Sequence, residues 1–188
     1  YRFKALDSGT YWFHPHMRSH EQVERGLYGV LIVESPTDPV YDQEWVWVLD
    51  DWLLDEDGAI DESFSKRALD TGGRLGNLLS VNGKEQPAYT ARSGERVRIR
   101  IINSSNALNY SLSFKGSDAK IFAVDGNITG QPLDVDNFVI APGNRIDIDL
   151  TISNNLNASE LVEVSNTFFH REAEDDVHEG PAILATIR

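Results

Sequence analysis

The sequence predicts an all-β fold, an antiparallel Greek-key sandwich. Three observations carry that expectation: strict alternation of apolar and polar residues in short segments, a turn signal roughly every ten residues between them, and few helical signals. "ERVRIRII" is the clearest segment. Val97, Ile99 and Ile101 point one way, and Arg96, Arg98 and Arg100 the other. "NRIDIDLTI" repeats the pattern with Ile146, Ile148, Leu150 and Ile152 inward and Arg145, Asp147, Asp149 and Thr151 outward. "NYSLSF" alternates Tyr110, Leu112 and Phe114 with serines. "EWVWVLDDWLL" is apolar on both faces from Trp45 to Leu49, as a central strand of a packed sandwich would be. "GLYGVLIVE" and the final "AILATIR" complete the set. Asn82-Gly83, Ser93-Gly94, Asp125-Gly126 and Pro142-Gly143 supply the turns.

One short helix is expected in "SHEQVERGLYG", capped by Ser19 with Gln22 three residues on and stopped at Gly26 or Gly29. "SPTDP" (Ser35 to Pro39) has two prolines in five residues and follows a complete strand, so it reads as a linker. It divides the chain into residues 1–34, enough for about three strands and too few for an independent sandwich, and residues 40–188, which can fill a complete one.

Composition narrows the function. Hydrophobic residues make up 40% of the 188 and charged residues 25%, the balance of a globular protein with a proper core. The net charge of −13, from 30 acidic against 17 basic side chains, repels a duplex or an anionic bilayer, which argues against nucleic-acid and membrane-surface partners. Cysteine is absent. Thiolate metal sites, disulfides and cysteine nucleophiles are therefore excluded from this chain, leaving histidine and carboxylates as the strong metal ligands.

Three of the five histidines fall within seven residues of "GTYWFHPHMRSHEQVERGLYG". His14 and His16 are separated only by Pro15 and, on a strand, share one face roughly 7 Å apart. Two such imidazoles can chelate one metal, serve one each of two neighbouring metals, or form a plain polar patch. His20 and Met17 read as lining the approach to that site or facing solvent, and His170 and His178 as part of a solvated acidic loop. "LDEDGAIDES" fails as a calcium loop, because Leu53 and Phe64 would stand where carboxylates are needed. Trp45, Trp47 and Trp52 read as packing rather than as a sugar platform.

"GTYWFHPH" followed by "GLYGVLIVE" resembles the second copper motif of the multicopper oxidases, the family of laccase, bilirubin oxidase and the bacterial copper efflux oxidases. The later phrases "EWVWVLDDWLLDEDG", "LLSVNGKEQP", "SGERVRIRIINSSNA", "FAVDG" and "IAPGNRIDIDL" are similar to that family's second cupredoxin domain. The resemblance implies a cupredoxin-like Greek-key β-sandwich at residues 40–188, preceded by a partial cupredoxin-like segment, the last strands of domain 1, at residues 1–34. It implies copper as the cofactor, with His14 and His16 as ligands of the binuclear type 3 pair, and a parent that oxidises a small reductant or a metal ion while reducing dioxygen to water. It also implies a periplasmic or secreted location. The partners it implies for residues 1–34 are the remaining oxidase domains. On its own, the unpaired edge of "GLYGVLIVE" is expected to self-associate, with ordered strands burying Tyr11, Trp12 and Phe13, rather than leave the segment disordered. The family's His-x-His-Gly motif and its His-Cys-His motif have no counterpart here, so the isolated chain is expected to be inactive. A copper-free scaffold of the kind used in cell-envelope assembly, and a small copper-carrying module, are the alternative readings.

Overall fold

A computed structural model describes residues 2–64, 73–154, 162–167 and 181–188. The polypeptide starts with a hairpin, β1 (Gly9–Phe13) against β2 (Gly29–Val33), paired antiparallel from Gly9↔Val33 to Phe13↔Gly29. Between them lies one short helix, α1 (Ser19–Glu24). Gly26 stops it at a positive φ of 80°, a conformation glycine adopts without steric cost. The Gly26 N–H bonds the Val23 carbonyl and the Leu27 N–H bonds that of Gln22, which is how a Schellman cap closes a helix. The expected Ser19 cap is corrected. The residue before the helix is Arg18 in left-handed conformation with no side-chain cap, Gln22 donates to the Met17 carbonyl, and the Ser19 hydroxyl turns toward His14.

The sandwich follows. One six-stranded sheet runs in the order β4 (Leu78–Val81), β3 (Gln43–Trp52), β6 (Arg96–Asn103), β11 (Arg145–Ile152), β8 (Ser117–Val124), β9 (Asn127–Asp134). A five-stranded sheet runs β10 (Val139–Ile140), β7 (Tyr110–Lys115), β12 (Val162–Asn166), β13 (Ala182–Ile187), β5 (Ala88–Tyr89). From β6 onward the chain crosses repeatedly between the sheets, with the hairpins β8–β9 and β12–β13 each staying within one sheet, and the cupredoxin-like sandwich is as expected. Pairing is mostly antiparallel, but β3 runs parallel to β6 and β13 parallel to β5, which the expectation of a wholly antiparallel fold misses. Alternation along the strands builds the core. Val97, Ile99, Ile101, Ile146, Ile148 and Leu150 from one sheet meet Tyr110, Leu112, Val164 and Leu184 from the other, all essentially solvent-free. Trp47 is fully buried beside Trp45 and Tyr89, so the tryptophans there are packing. No described helix is long and apolar enough to cross a membrane.

The opposite face of β6 and β11 overturns an expectation. Arg98, Arg100 and Asp147, expected to point outward, are 4%, 1% and 2% exposed. The hairpin covers them. Burying charge is costly unless it is paired, and here it is. Asp147 accepts from Arg98 Nη2 at 2.6 Å, from Arg100 Nη1 at 3.3 Å and from the Thr10 hydroxyl of β1 at 2.7 Å. Arg100 also donates to Thr10 Oγ1 at 2.8 Å and grips Glu44, while Arg98 reaches Asp38 in the 35–39 segment at 2.9 Å. Arg145 donates to the Thr10 carbonyl at 3.2 Å. Close approach needs Gly9, where a Cβ would meet the Gly126 carbonyl oxygen at 2.7 Å. The β1–β2 hairpin, residues 9–33, is therefore a layer docked on the sandwich by polar contacts. Phe13, expected to be buried together with Tyr11 and Trp12, stays 63% exposed, and Phe3, Leu6, Leu27 and Leu31 are exposed with it.

Candidate metal centre

β1 delivers the chain to the histidines. The strand ends at Phe13, so His14 and His16 lie just past it, yet the alternation persists: Trp12, His14 and His16 stack on one side. The Trp12 and His14 rings are 4.4 Å apart at 20°, and those of His14 and His16 are 4.9 Å apart at 22°. The predicted pair is brought together, more closely than a regular strand would place it.

The donor chemistry fits a soft-to-borderline metal ion. His14 Nδ1 lies 3.1 Å from the Pro15 carbonyl oxygen, which can only accept, so this contact favours the tautomer with the hydrogen on Nδ1 and the lone pair on Nε2. Donation of the second ring nitrogen to a carbonyl is the usual way a ligating imidazole is held in orientation. Ser19 Oγ stands 3.5 Å from the same nitrogen. Among the described residues no group of three histidine, aspartate or glutamate side chains converges, so the pair stands alone there. His20 is exposed, its ring 6.2 Å from Phe64 rather than on the pair, and Met17 is 79% exposed. His170 and His178 lie outside the described residues.

Sequence reasoning missed the buried polar group behind the pair. Tyr28, edge-on to Trp12 at 6.3 Å, donates its hydroxyl hydrogen to Asp50 Oδ2 at 2.7 Å. Glu24 of α1, 3% exposed, accepts from the Leu53 N–H at 3.1 Å and from Asn106 at 2.8 Å, and pairs with Arg74 at 3.2 Å. Arg74 in turn lies over the Phe64 ring at 4.4 Å and donates to the Asp61 carbonyl at 2.7 Å, which folds the acidic excursion back over α1. The doublet Asp50-Asp51 inside the apolar run "WVWVLDDWLL" was the available signal, since adjacent acids in a strand interior must be buried and paired.

Burial is the main cause that lifts both carboxyls, Asp50 to about 7 and Asp51 to about 6; Glu24 adds to it for both, and Asp51 adds to it for Asp50. The native state therefore holds these protons more tightly than the unfolded chain. Stability from this pair is complete below about pH 4, the unfolded value, and falls as pH rises through about 6 and about 7. Urea unfolding across that window should show the decline, and a chain carrying Asp50→Asn and Asp51→Asn should show a flatter profile.

Two family models, both described as multicopper oxidase, match residues 43–186 and residues 1–38. A multicopper oxidase of Mycobacterium tuberculosis, MmcO, is 33% identical over 181 residues, covering 80% of this chain and 35% of that one. Laccase-3 of Thanatephorus cucumeris is 33% identical over 162 residues, covering 74% and 26%. The crystal structure of a multi-copper oxidase from Pseudomonas thermotolerans superposes with a TM-score of 0.82 at 30% identity, over 99% of this chain and 42% of that one. The chain spans about a third of the length of MmcO and less of Laccase-3.

Proposed function

Because the chain belongs to the multicopper oxidase family, we propose that it is part of a copper-dependent oxidase that oxidises a small reductant or a metal ion and reduces dioxygen to water. The observation that carries this reading is the stacked pair His14 and His16, with the His14 Nε2 lone pair left open by the Pro15 carbonyl. In this reading the two imidazoles are ligands of the type 3 copper pair. Copper, when bound, supplies the electron-accepting and dioxygen-binding chemistry, and neutral imidazole suits it in both oxidation states.

The chain's own residues orient the donors. Thr10, locked between Asp147 and Arg100, fixes β1 four residues ahead of His14. The Pro15 carbonyl sets the His14 tautomer, and Trp12 stacks on one face of that ring. Residues 40–188 act as a copper-free spacer domain, residues 35–39 as the linker, and residues 1–34 as the end of the copper-bearing first domain. The exposed Phe3, Leu6, Phe13, Leu27 and Leu31 are then the surface that the other oxidase domains, or a second copy, would cover. A periplasmic or secreted location goes with the family reading. The scaffold alternative draws no support from an imidazole pair whose donors are kept available.

A competition titration with copper tests the reading. The isolated chain should bind copper weakly, because two imidazoles are an incomplete ligand set. That binding should disappear in a chain carrying His14→Ala and His16→Ala. The loaded chain should lack the blue thiolate band, since it has no cysteine, and should turn over no phenol beyond free copper. Unchanged affinity in the double variant would move the site elsewhere.

A further inference from the structure

The ring stack does not end at the histidines. His16, His14 and Trp12 lie face to face at 4.9 and 4.4 Å, and Tyr28 meets Trp12 edge-on at 6.3 Å. Tyr28 then hands its hydroxyl hydrogen to Asp50 at 2.7 Å. Among the described tyrosines that pairing is unusual. The Tyr11 hydroxyl faces the Asp7 and Ser8 carbonyls, Tyr89 receives from Asn82, and Tyr110 shares a hydrogen with Ser105. Tyr28 is the described tyrosine that both touches Trp12 and hydrogen-bonds a carboxylate. Phenol and indole are the side chains most readily oxidised by one electron, and a phenol loses its electron far more easily when a base takes the proton at the same time.

We propose that Trp12, Tyr28 and Asp50 form a one-electron relay that drains oxidising equivalents from the His14–His16 pair into the protein. The inference rests on the proposed role of that pair in holding an oxidising metal ion. The relay balances as follows. Trp12 gives one electron to a one-electron oxidant held at the imidazoles, which is reduced by one. Tyr28 gives one electron to the resulting indole radical cation and restores it. The Tyr28 O–H bond breaks, and its proton passes to Asp50 Oδ2. The net change is one electron from Tyr28 to the oxidant and one proton from Tyr28 to Asp50, leaving a neutral phenoxyl.

Several features support this. Burial, with Asp50 and Glu24 nearby, holds the Tyr28 hydroxyl above its ordinary range, so the phenol keeps its proton until it is oxidised, and Asp50 Oδ2 at 2.7 Å is placed to receive it. Asp50 is poised to accept a proton near neutrality, its value being set by burial, Tyr28, Asp51, Glu24 (itself paired with Arg74) and Ser104. The carboxylate is 4% exposed, so the accepted proton is kept from bulk water. The relay would protect a metal centre that stalls with oxidising equivalents and no reductant.

The test needs no copper. In the full metal-free chain carrying His20→Gln, His170→Gln and His178→Gln, a ruthenium polypyridyl complex is coordinated to the exposed His16 and photo-oxidised by flash and quench. The unmodified relay should give a phenoxyl absorption band and its paramagnetic resonance signal. Tyr28→Phe, which removes one oxygen atom, should abolish that phenoxyl and leave a longer-lived indole radical. Trp12→Phe should slow phenoxyl formation by on the order of tenfold or more. Asp50→Asn should leave the indole radical unquenched. Phenoxyl yield unchanged in Tyr28→Phe, or a rate unchanged in Trp12→Phe, overturns the relay. Circular dichroism of each variant separates this from misfolding. Failure of copper binding with the radical transfer intact overturns the proposed function and leaves the relay's chemistry standing.

Discussion

Asp147→Ala should destabilise the chain by about 3–5 kcal/mol, the cost of stranding buried cations by removing their partner. Asp147 holds Arg98 and Arg100 through one carboxylate oxygen and the Thr10 hydroxyl through the other, with all of these groups nearly solvent-free. Asp38 and Glu44 keep part of the guanidinium charge compensated, which places the loss toward the lower end of that range. The effect should be visible in the urea midpoint and in faster amide exchange along Gly9–Phe13, because Thr10 loses its anchor. Asp149→Ala is the matched control. Its partner Arg96 is 44% exposed at the side chain, so the change should cost no more than about 1 kcal/mol.

Glu24→Ala should cost a similar amount, about 3–5 kcal/mol. Glu24 and Arg74 are 2% and 5% exposed at their side chains, and Glu24 also receives the Leu53 N–H and the Asn106 amide. Removing it strands Arg74 beneath Phe64 and unties α1 from the end of β3 and from the 53–64 excursion. A chain with Glu24→Gln and Arg74→Met, which keeps the volume and removes both charges, should lose clearly less than Glu24→Ala alone. Denaturant unfolding of the three chains checks the order. Equal losses would mean that the ion pair is not what holds α1.

The alternation in "ERVRIRII" and "NRIDIDLTI" was legible because a strand's period of two is exact, and it placed Val97, Ile99, Ile146 and Ile148 in the core as found. The same pattern could not say what lies on the other face. A run of arginines opposite a run of aspartates reads as solvated until another layer is known to cover it, and that layer comes from residues more than eighty positions away. Parallel pairing of β3 with β6 was hidden for the same reason, since nothing local sets the direction of a distant strand. At the candidate site, spacing alone placed His14 and His16 side by side, and their shared side survives even though β1 stops at Phe13, whereas a ligand role for them came only with the family resemblance. The surroundings were not found. Tyr28 sits in a loop between α1 and β2, and its link to Asp50 joins two segments that no periodicity connects. Ser19 shows the limit of local rules: a residue that suits a helix cap is turned instead toward the neighbouring imidazole.

In the proposed function His14 and His16 are metal donors, with His14 presenting Nε2. Nitrogen-15 correlation spectra of the histidine rings, recorded on the full chain with and without copper(I), test it most directly. The His14 Nδ1 resonance should be that of a protonated nitrogen throughout, and copper(I) should shift ring-nitrogen resonances of both His14 and His16, at Nε2 for His14. Shifts confined to His20, His170 or His178, or copper arriving at His14 Nδ1, would contradict it.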